Sequence, residues 1–458
     1  MHFLDITIIL LSLGFIIFLS INDKVNKLFF TIFSIILLFV FSAYQILDLG
    51  KWHLTPVYIV FIVSIGYMQF KNPKKTIKIS YIVISTMLIS LSFGLIYALP
   101  ISDIPMPNGD YQIGNQYFIV EDNDRLELYT DDPNDTRRFA FNVWFPTDDT
   151  QDKNLSRWIG NQYITRGLAK SVGLPSFSLD HLVDIKSNSY SWTTISNQEE
   201  KYPVVIISHG WGGFMSLHTD IAEEFASRGY VVISIDHTYG SVATTFIDET
   251  VYQNKDALPS RDEPNFLDKA TQLVNTYAKD VSKTIDFLEE KNEAETGFFS
   301  GKLDLDYIGL IGHSTGGGAD VAVALDDDRI TALIGLDAWV EPISTQEIDK
   351  GLDIPSLFIR SETWSEGENN IHLNLLIKNS INSMLFQIDG STHADFTMAY
   401  MFSPLTSMIG FTGALDYQYL LDIQKAVMVP FFEQHLKKDG AFDYTQLDYD
   451  ELKKITVE

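Results

Sequence analysis

Ser314 stands at the centre of Gly312-His313-Ser314-Thr315-Gly316, between the apolar run Tyr307 to Ile311 and the small-residue run Gly317 to Leu325. A serine at the apex of a tight strand-to-helix turn exposes its Oγ, and glycines two positions to either side let the two elements approach without Cβ clashes. The spacing is that of a nucleophile elbow. A serine hydroxyl attacks poorly at neutral pH, so it needs an imidazole to take its proton and a carboxylate to orient that imidazole. Downstream of Ser314 only His372, His393 and His435 remain. His393 follows the apolar segment Ser383 to Ile388, in a loop at what would be a strand's C-terminal end, whereas His372 opens a polar-flanked helix and His435 lies among charges on a terminal helix. His393 is the expected base. Two carboxylates compete to be its partner: Asp337, which ends the run Ile330 to Leu336, and Glu362, which ends the run Pro355 to Arg360. Topology alone does not rank them, and Asp395 is too close in sequence to reach back easily.

The tetrahedral oxyanion of acyl transfer needs two preorganised backbone N–H donors, each worth roughly 2.7–4 kcal/mol in other systems. Thr315, the residue after the nucleophile, supplies one. The loop Ser208-His209-Gly210-Trp211-Gly212-Gly213 is of the HG-x-G type that supplies the second, from Trp211. His209 lies upstream of the serine and is expected to brace this loop. No His, Asp and Glu cluster has zinc-type spacing, so neither metal nor cofactor is expected.

These residues need a scaffold that brings strand ends together. From Tyr202 onward short apolar runs alternate with helical patterns: strands at Val204 to Ser208, Tyr230 to Ile235, Tyr307 to Ile311, Ile330 to Leu336, Pro355 to Arg360 and Ser383 to Ile388. Helices are expected at Leu217 to Arg228, at Ala270 to Lys291 with Leu273, Tyr277, Val281, Ile285 and Leu288 on one face, and near Leu420 to Leu436. Such alternation predicts a mostly parallel sheet with its site at the strand C-terminal ends, the α/β-hydrolase arrangement. Upstream, Tyr117 to Glu121 and Arg138 to Phe145 read as strands joined by a turn at Asp131 to Asp135. Helices are expected near Leu155 to Val172 and Phe177 to Val183, forming a cap or scaffold. The Met- and Phe-rich stretch Phe396 to Phe411 reads first as packed loop and helix. Trp339 and Trp364, near the acid strands, are candidates to shape the pocket.

The sequence resembles the platelet-activating factor acetylhydrolase family, the plasma and intracellular type II enzymes and their bacterial relatives. The resemblance runs from about Tyr202 to Thr397, with a weaker echo at Phe139 to Pro146. It is carried by Pro203-Val204-Val205-Ile206-Ile207-Ser208-His209-Gly210, by Gly312-His313-Ser314-Thr315-Gly316-Gly317, by Gly335-Leu336-Asp337-Ala338-Trp339 with Pro342, and by Gly390-Ser391-Thr392-His393 with Asp395-Phe396. It implies Asp337 as the acid, with Ser314 as nucleophile, His393 as base, and Trp211 and Thr315 as oxyanion donors. It further implies calcium-independent hydrolysis of short or modified acyl esters, including those of phospholipids. Trp211 stands where the family usually has a smaller aliphatic residue, and Thr315 where it has a bulkier apolar one. Acyl transfer to an alcohol would use the same triad, and an idle membrane-tethered binding domain is the contrasting expectation.

The first hundred residues differ in kind from the rest. Four apolar stretches, Phe3 to Ile21, Leu28 to Leu47, Leu54 to Phe70 and Ile79 to Leu99, approach the ~20 residues that cross a bilayer. A cleaved signal peptide would account only for the first. Lys24 and Lys27 lie between the first and second stretches, and Lys71, Lys74, Lys75 and Lys78 between the third and fourth. Lysine in these loops places both in the cytoplasm. The second-to-third loop has only Lys51 and Asp48. The expectation is a four-helix transmembrane region over residues 1–100 and an extracytoplasmic hydrolase domain over residues 101–458. Seven lysines against three aspartates make the first part net positive, so the second is more acidic than the chain's net −27. That acidity disfavours nucleic acid as a partner and keeps the domain soluble. The chain has no cysteine, which excludes a disulfide framework and, in an exported domain, suits a Gram-positive bacterium. Oligomeric state is not legible.

Overall fold

The computed structural model describes residues 3–22, 26–47, 52–70 and 73–457. Lys24, Asp48, Lys51 and Lys71, used above for orientation, lie outside the described residues.

All four apolar stretches form helices: α1 (Phe3–Ile21), α2 (Lys27–Leu47), α3 (Thr55–Met68) and α4 (Lys75–Ala98). By length and composition α4 is the one described helix that meets the criterion for crossing a membrane; Ile6–Ile21, Leu28–Val40 and Trp52–Met68 are shorter apolar segments. The outer face of these helices is unlike that of a water-soluble bundle. Ser12, Ser34, Ser64, Ser85 and Ser92 are wholly buried, while Leu10, Phe18, Phe39, Ile62, Met87 and Leu91 face outward. Ser12 and Ser64 return their hydroxyls to the carbonyls four residues earlier, and Ser64 also meets the Tyr81 hydroxyl at 2.9 Å. Apolar side chains cover the outside as well as the inside, where the serines share a core with Phe15, Ile16, Val60, Phe61 and Ile89, a distribution that suits a lipid surround.

The remainder is built on an eleven-stranded sheet. Its strands are β1 (Gln112–Leu126), β2 (Thr136–Thr147), β3 (Leu155–Arg157), β4 (Lys186–Ser191), β5 (Tyr202–Ser208) and β6 (Val231–Asp236). A separate two-stranded ribbon, β7 (Ala243–Thr245) and β8 (Thr250–Tyr252), follows; the sheet resumes with β9 (Leu303–His313), β10 (Ile330–Leu336), β11 (Ser356–Ser361), β12 (Ser383–Ile388) and β13 (Leu452–Ile455). The spatial order is β13-β12-β11-β10-β9-β5-β6-β2-β1-β4-β3. From β12 across to β6 the neighbours are parallel; β2 joins β6, and β13 joins β12, antiparallel. The β1–β2 hairpin turns through the expected Asp131 to Asp135 segment.

The central strands are apolar on both faces because both are covered. On β5, Val204 and Ile206 enter the core beneath the long helix Phe266–Glu293, while Val205 and Ile207 enter the opposite core with Phe225, Val427 and Phe432. The helix expected over Leu155 to Val172 is split: residues Leu155–Arg157 pair with β4 as an edge strand, and helix begins only at Gln162, where Asn161 caps the N–H groups of Tyr163 and Ile164. Sequence reading also missed β4 and β13. Phe177 to Val183 lies in a 3-10 turn, Ser176–Asp184. Phe396, Met398, Ala399 and Met401 are buried in short 3-10 turns, whereas Met408 and Ile409 further along are exposed.

The helical region and the hydrolase body touch. Trp52 meets Phe177 edge-on at 5.2 Å, and His53 meets His181 at 4.8 Å. Leu99 and Ile101, just past α4, pack with Ile104, Trp158, Leu182, Met398 and Met401.

Candidate active site

Registry sets the site. Leu336 of β10 is level with His313 of β9, and Ser208 of β5 with Gly312 of β9. Ser314 and Asp337 therefore leave neighbouring strands at the same height. Both do so with left-handed backbone, φ 55° at Ser314 and φ 42° at Asp337, a conformation costing on the order of 1–3 kcal/mol each outside glycine. The surrounding backbone holds them there. Ser314 N–H donates to Leu336 O at 3.0 Å, Trp339 N–H donates to Ser314 O at 2.8 Å, and Asp337 N–H donates to Ile359 O at 2.9 Å. The helix Thr315–Asp326 starts immediately after the serine. A Cβ on Gly316 would lie 2.2 Å from Ser208 O, and one on Gly312 2.5 Å from Gly317 Cα. The elbow thus needs glycine at both places.

Asp337 and His393 are brought together: His393 Nδ1 lies 2.9 Å from Asp337 Oδ2. Asp337 is 2 % exposed. Its oxygens also accept from Ser361 N–H at 2.7 Å and Ser361 Oγ at 2.6 Å. Glu362 is elsewhere: its Oε2 accepts the Gly390 N–H at 2.7 Å, so it braces the loop that carries His393. Asp395 shapes the same loop, accepting from Thr392 N–H and Gly413 N–H, both at 2.7 Å. His372 bonds within its own helix, and His435 approaches Gln434.

The HG-x-G loop lies against the serine. A Cβ on Gly210 would sit 2.9 Å from Ser314 Cβ and 3.4 Å from its Oγ. Gly213 N–H closes the turn onto Gly210 O at 2.9 Å, and Gly212, at φ +69°, donates to Gly240 O at 2.9 Å. Among the described residues the N–H groups of Trp211 and Thr315 donate to no protein acceptor. His209 braces the loop as expected. Its Nε2 accepts the His237 N–H at 3.3 Å, which leaves Nδ1–H to donate to Gly210 O at 2.7 Å. Burial and the neighbouring His237 hold its pKa well below the ordinary imidazole value, so the ring is a neutral strut. Behind it, His237 Nδ1 meets Asp280, which Arg137 grips through both carboxylate oxygens at 3.0 and 2.6 Å.

Three contacts around Ser314 and His393 were not foreseen, although Trp364 itself was a candidate to shape the pocket. His313 is buried beside His393, with the two rings 4.5 Å apart and its Nε2 at 3.1 Å from His393 O. Burial and the adjacent His393 depress its pKa well below the usual range. Asp320, wholly buried beneath the elbow, accepts from Ser208 Oγ at 2.7 Å, and burial pushes its carboxyl well above its ordinary value. Trp364 stacks on His393 with ring centroids 4.1 Å apart and planes 5° from parallel. Trp339 instead sends its indole N–H to Glu341. None of these contacts has a sequence signature, because each depends on side-chain direction at a strand end.

A parallel sheet with a strained serine elbow, a carboxylate–imidazole pair at the next strand ends and a glycine loop beside the serine defines the α/β-hydrolase class. Residues 98–454 match the family described as platelet-activating factor acetylhydrolase, isoform II. The chain belongs to that family. It is 26 % identical to the platelet-activating factor acetylhydrolase of Cavia porcellus over 366 residues, covering 74 % of this chain and 79 % of that one. The Bos taurus protein of the same name gives 26 % over 371 residues, with 75 % and 79 % covered. Among solved structures, a ferulic acid esterase from Streptomyces cinnamoneus superposes with a TM-score of 0.63 at 19 % identity, over 78 % of this chain and all of that one, a likeness of fold. The match reaches well beyond the Tyr202 to Thr397 span in which the sequence resemblance was seen. These relatives include vertebrate proteins, and they lend the expected Gram-positive origin no support.

Proposed function

We propose that the chain is a membrane-anchored serine carboxylic ester hydrolase that cleaves short or modified acyl esters, phospholipid esters among them. The observation that carries this reading is the 2.9 Å Asp337–His393 pair beside the strained Ser314 elbow. Ser314 Oγ attacks the ester carbonyl while His393 Nε2 takes its proton, and Asp337 holds Nδ1–H and stabilises the imidazolium. The Trp211 and Thr315 N–H groups receive the oxyanion. His393 then protonates the leaving alcohol, and water, deprotonated by the same imidazole, releases the acid from Ser314. The unpartnered state of both N–H groups supports their assignment.

We further propose four membrane spans over residues 1–100, with an extracytoplasmic hydrolase domain over residues 101–458. The lipid-suited packing of α1–α4 supports it. So does the contact of Trp52 and His53, in the turn that opens α3, with Phe177 and His181 of the hydrolase body. Helix α3 with its preceding turn is 17 residues, Trp52–Met68, or roughly 25 Å, short of the ~30 Å hydrocarbon layer, a mismatch met by local thinning. The test is labelling of the purified chain with a fluorophosphonate. Wild type is expected to label and Ser314→Ala not to; labelling that persists in Ser314→Ala refutes the nucleophile.

A further inference from the structure

The end of β11 and the segment after it touch Asp337 and the His393 loop at once. Ser361 donates twice to Asp337. Glu362 takes the Gly390 N–H of the His393 loop. Asn369 accepts the N–H groups of Val340 and Glu341 at 2.8 and 3.1 Å and donates to Ala338 O at 3.0 Å, fixing the chain that follows Asp337. Between them Trp364 lies flat on the His393 ring.

His393 is 32 % exposed at its side chain, so its ring is not held by core packing alone. Asp337 fixes Nδ1 but leaves rotation about that hydrogen bond free. Two rings remove the freedom. His313 lies 4.5 Å from the His393 ring and Trp364 4.1 Å from it, and no ring contact joins Trp364 to His313. The two therefore flank the imidazole on different sides. They are also chemically unlike. Buried His313 is neutral, whereas an indole face carries the negative end of the ring quadrupole and attracts a cation. When His393 takes the serine proton, the attraction to Trp364 switches on. We propose that Trp364 is a positioning residue for the general base: its indole fixes the imidazole plane and stabilises the imidazolium formed during acyl transfer. The inference rests on His393 being the base.

The other titratable groups facing His393 are Asp337 at Nδ1 and His313 on the flank; Glu362 and Asp395 face its loop rather than its ring. None is altered by changing Trp364. The test uses the full-length chain in detergent, with Trp364→Leu and Trp364→Phe measured on p-nitrophenyl acetate across pH and by the rate of fluorophosphonate inactivation. A cation–π contact at a part-exposed site predicts that Trp364→Leu loses between about threefold and thirtyfold in kcat and in inactivation rate. KM should stay within about twofold of wild type. The acidic limb of the kcat/KM profile should move to lower pH, and Trp364→Phe, a weaker π face, should recover only part of both effects and leave a smaller shift in the same direction. Unchanged kcat and acidic limb in Trp364→Leu, or a rise in KM alone, overturns the proposal. Should Trp364→Leu fail to fold, Trp364→Phe carries the test: a wild-type limb refutes, and a smaller shift in the same direction supports. His393→Ala separates the two levels: if it retains wild-type inactivation the base assignment fails, whereas loss there with no effect at Trp364 sinks this inference alone.

Discussion

Replacing Asp337 by asparagine tests the acid through the geometry around it. Asp337 Oδ1 receives the Ser361 backbone N–H at 2.7 Å, a group that can only donate. In Asp337→Asn the surviving carbonyl oxygen must take that position, because an NH2 there would oppose N–H to N–H. The amide nitrogen is then forced to the Oδ2 position, 2.9 Å from His393 Nδ1. It donates to Nδ1, so the imidazole proton moves to Nε2, the atom that should accept from Ser314. The shape is unchanged and the tautomer is wrong. The same change in serine proteases costs about 10⁴-fold, which is about 5.4 kcal/mol at 1.36 kcal/mol per decade. Glu362→Gln is the control, since its amide oxygen can still accept the exposed Gly390 N–H; exchanging a charged acceptor for a neutral one there predicts a loss within about fivefold. The assay is kcat/KM on a p-nitrophenyl ester, with thermal melting to confirm the fold. Asp337→Asn retaining more than a tenth of wild-type activity, or Glu362→Gln falling as far as Asp337→Asn, refutes the reasoning.

Other perturbations follow from the same contacts. Gly210→Ala places a Cβ 2.9 Å from Ser314 Cβ, and at least about tenfold loss of kcat is expected from displacing an oxyanion donor; wild-type turnover would show that the loop is not the donor. Arg137→Met strips the buried Asp280 of its bidentate partner and should cost about 3–5 kcal/mol of stability, read as a lower melting temperature; Arg137→Lys should not restore it. Burial pushes Asp236 up to about 7 from its ordinary 3.8. A carboxyl raised in the folded state contributes stability that is full below the unfolded pKa and lost as pH climbs to the folded one. Asp236→Asn should therefore gain on wild type between pH 4 and 7, by about 4 kcal/mol at most; a constant difference across that range contradicts the shift. Because the chain has no cysteine, single cysteines report topology: in intact cells Lys24→Cys and Lys74→Cys should resist an impermeant maleimide, and Ser407→Cys should react. Reaction at Lys74→Cys would reverse the orientation.

What was legible in the sequence was whatever local sterics or periodicity dictate. The elbow could be read because Gly312 and Gly316 sit where a Cβ collides with backbone. The central strands could be read because burial on both faces makes Val204 to Ile207 uniformly apolar. The edges could not. β3 is three residues long and its Leu155 is 40 % exposed, and β13 places Lys453 and Lys454 side by side between Leu452 and Ile455, so neither shows the run or the period of a strand. The choice between Asp337 and Glu362 was open for a related reason. Both end adjacent parallel strands, and what separates them is the φ of 42° that turns Asp337 beneath the His393 loop, a property of backbone that residue type does not encode. Trp364 was placed near the pocket by its position, yet its stacking on His393 depends on a side-chain direction no spacing predicts.

The proposed boundary near residue 100 divides the chain by composition but not by packing. Leu99 and Ile101 share one apolar cluster with Leu182, Met398 and Met401, and Met398 comes five residues after His393. The same body receives Trp52 and His53 at Phe177 and His181. Two separate stretches of the helical region therefore grip the segment around Trp158 to Asp184, and the exit of α4 joins the same apolar cluster as the turn that follows His393. A flexible tether would need a polar, glycine-rich or serine-rich linker; Leu99-Pro100-Ile101-Ser102-Asp103-Ile104 instead buries Ile104 at 3 % exposure. Such seating fixes how far the His393 loop stands from the proposed membrane surface. An esterase held in that way meets amphiphilic substrates at a set depth and orientation, which is how a four-helix anchor can contribute to substrate choice without supplying a residue to the chemistry.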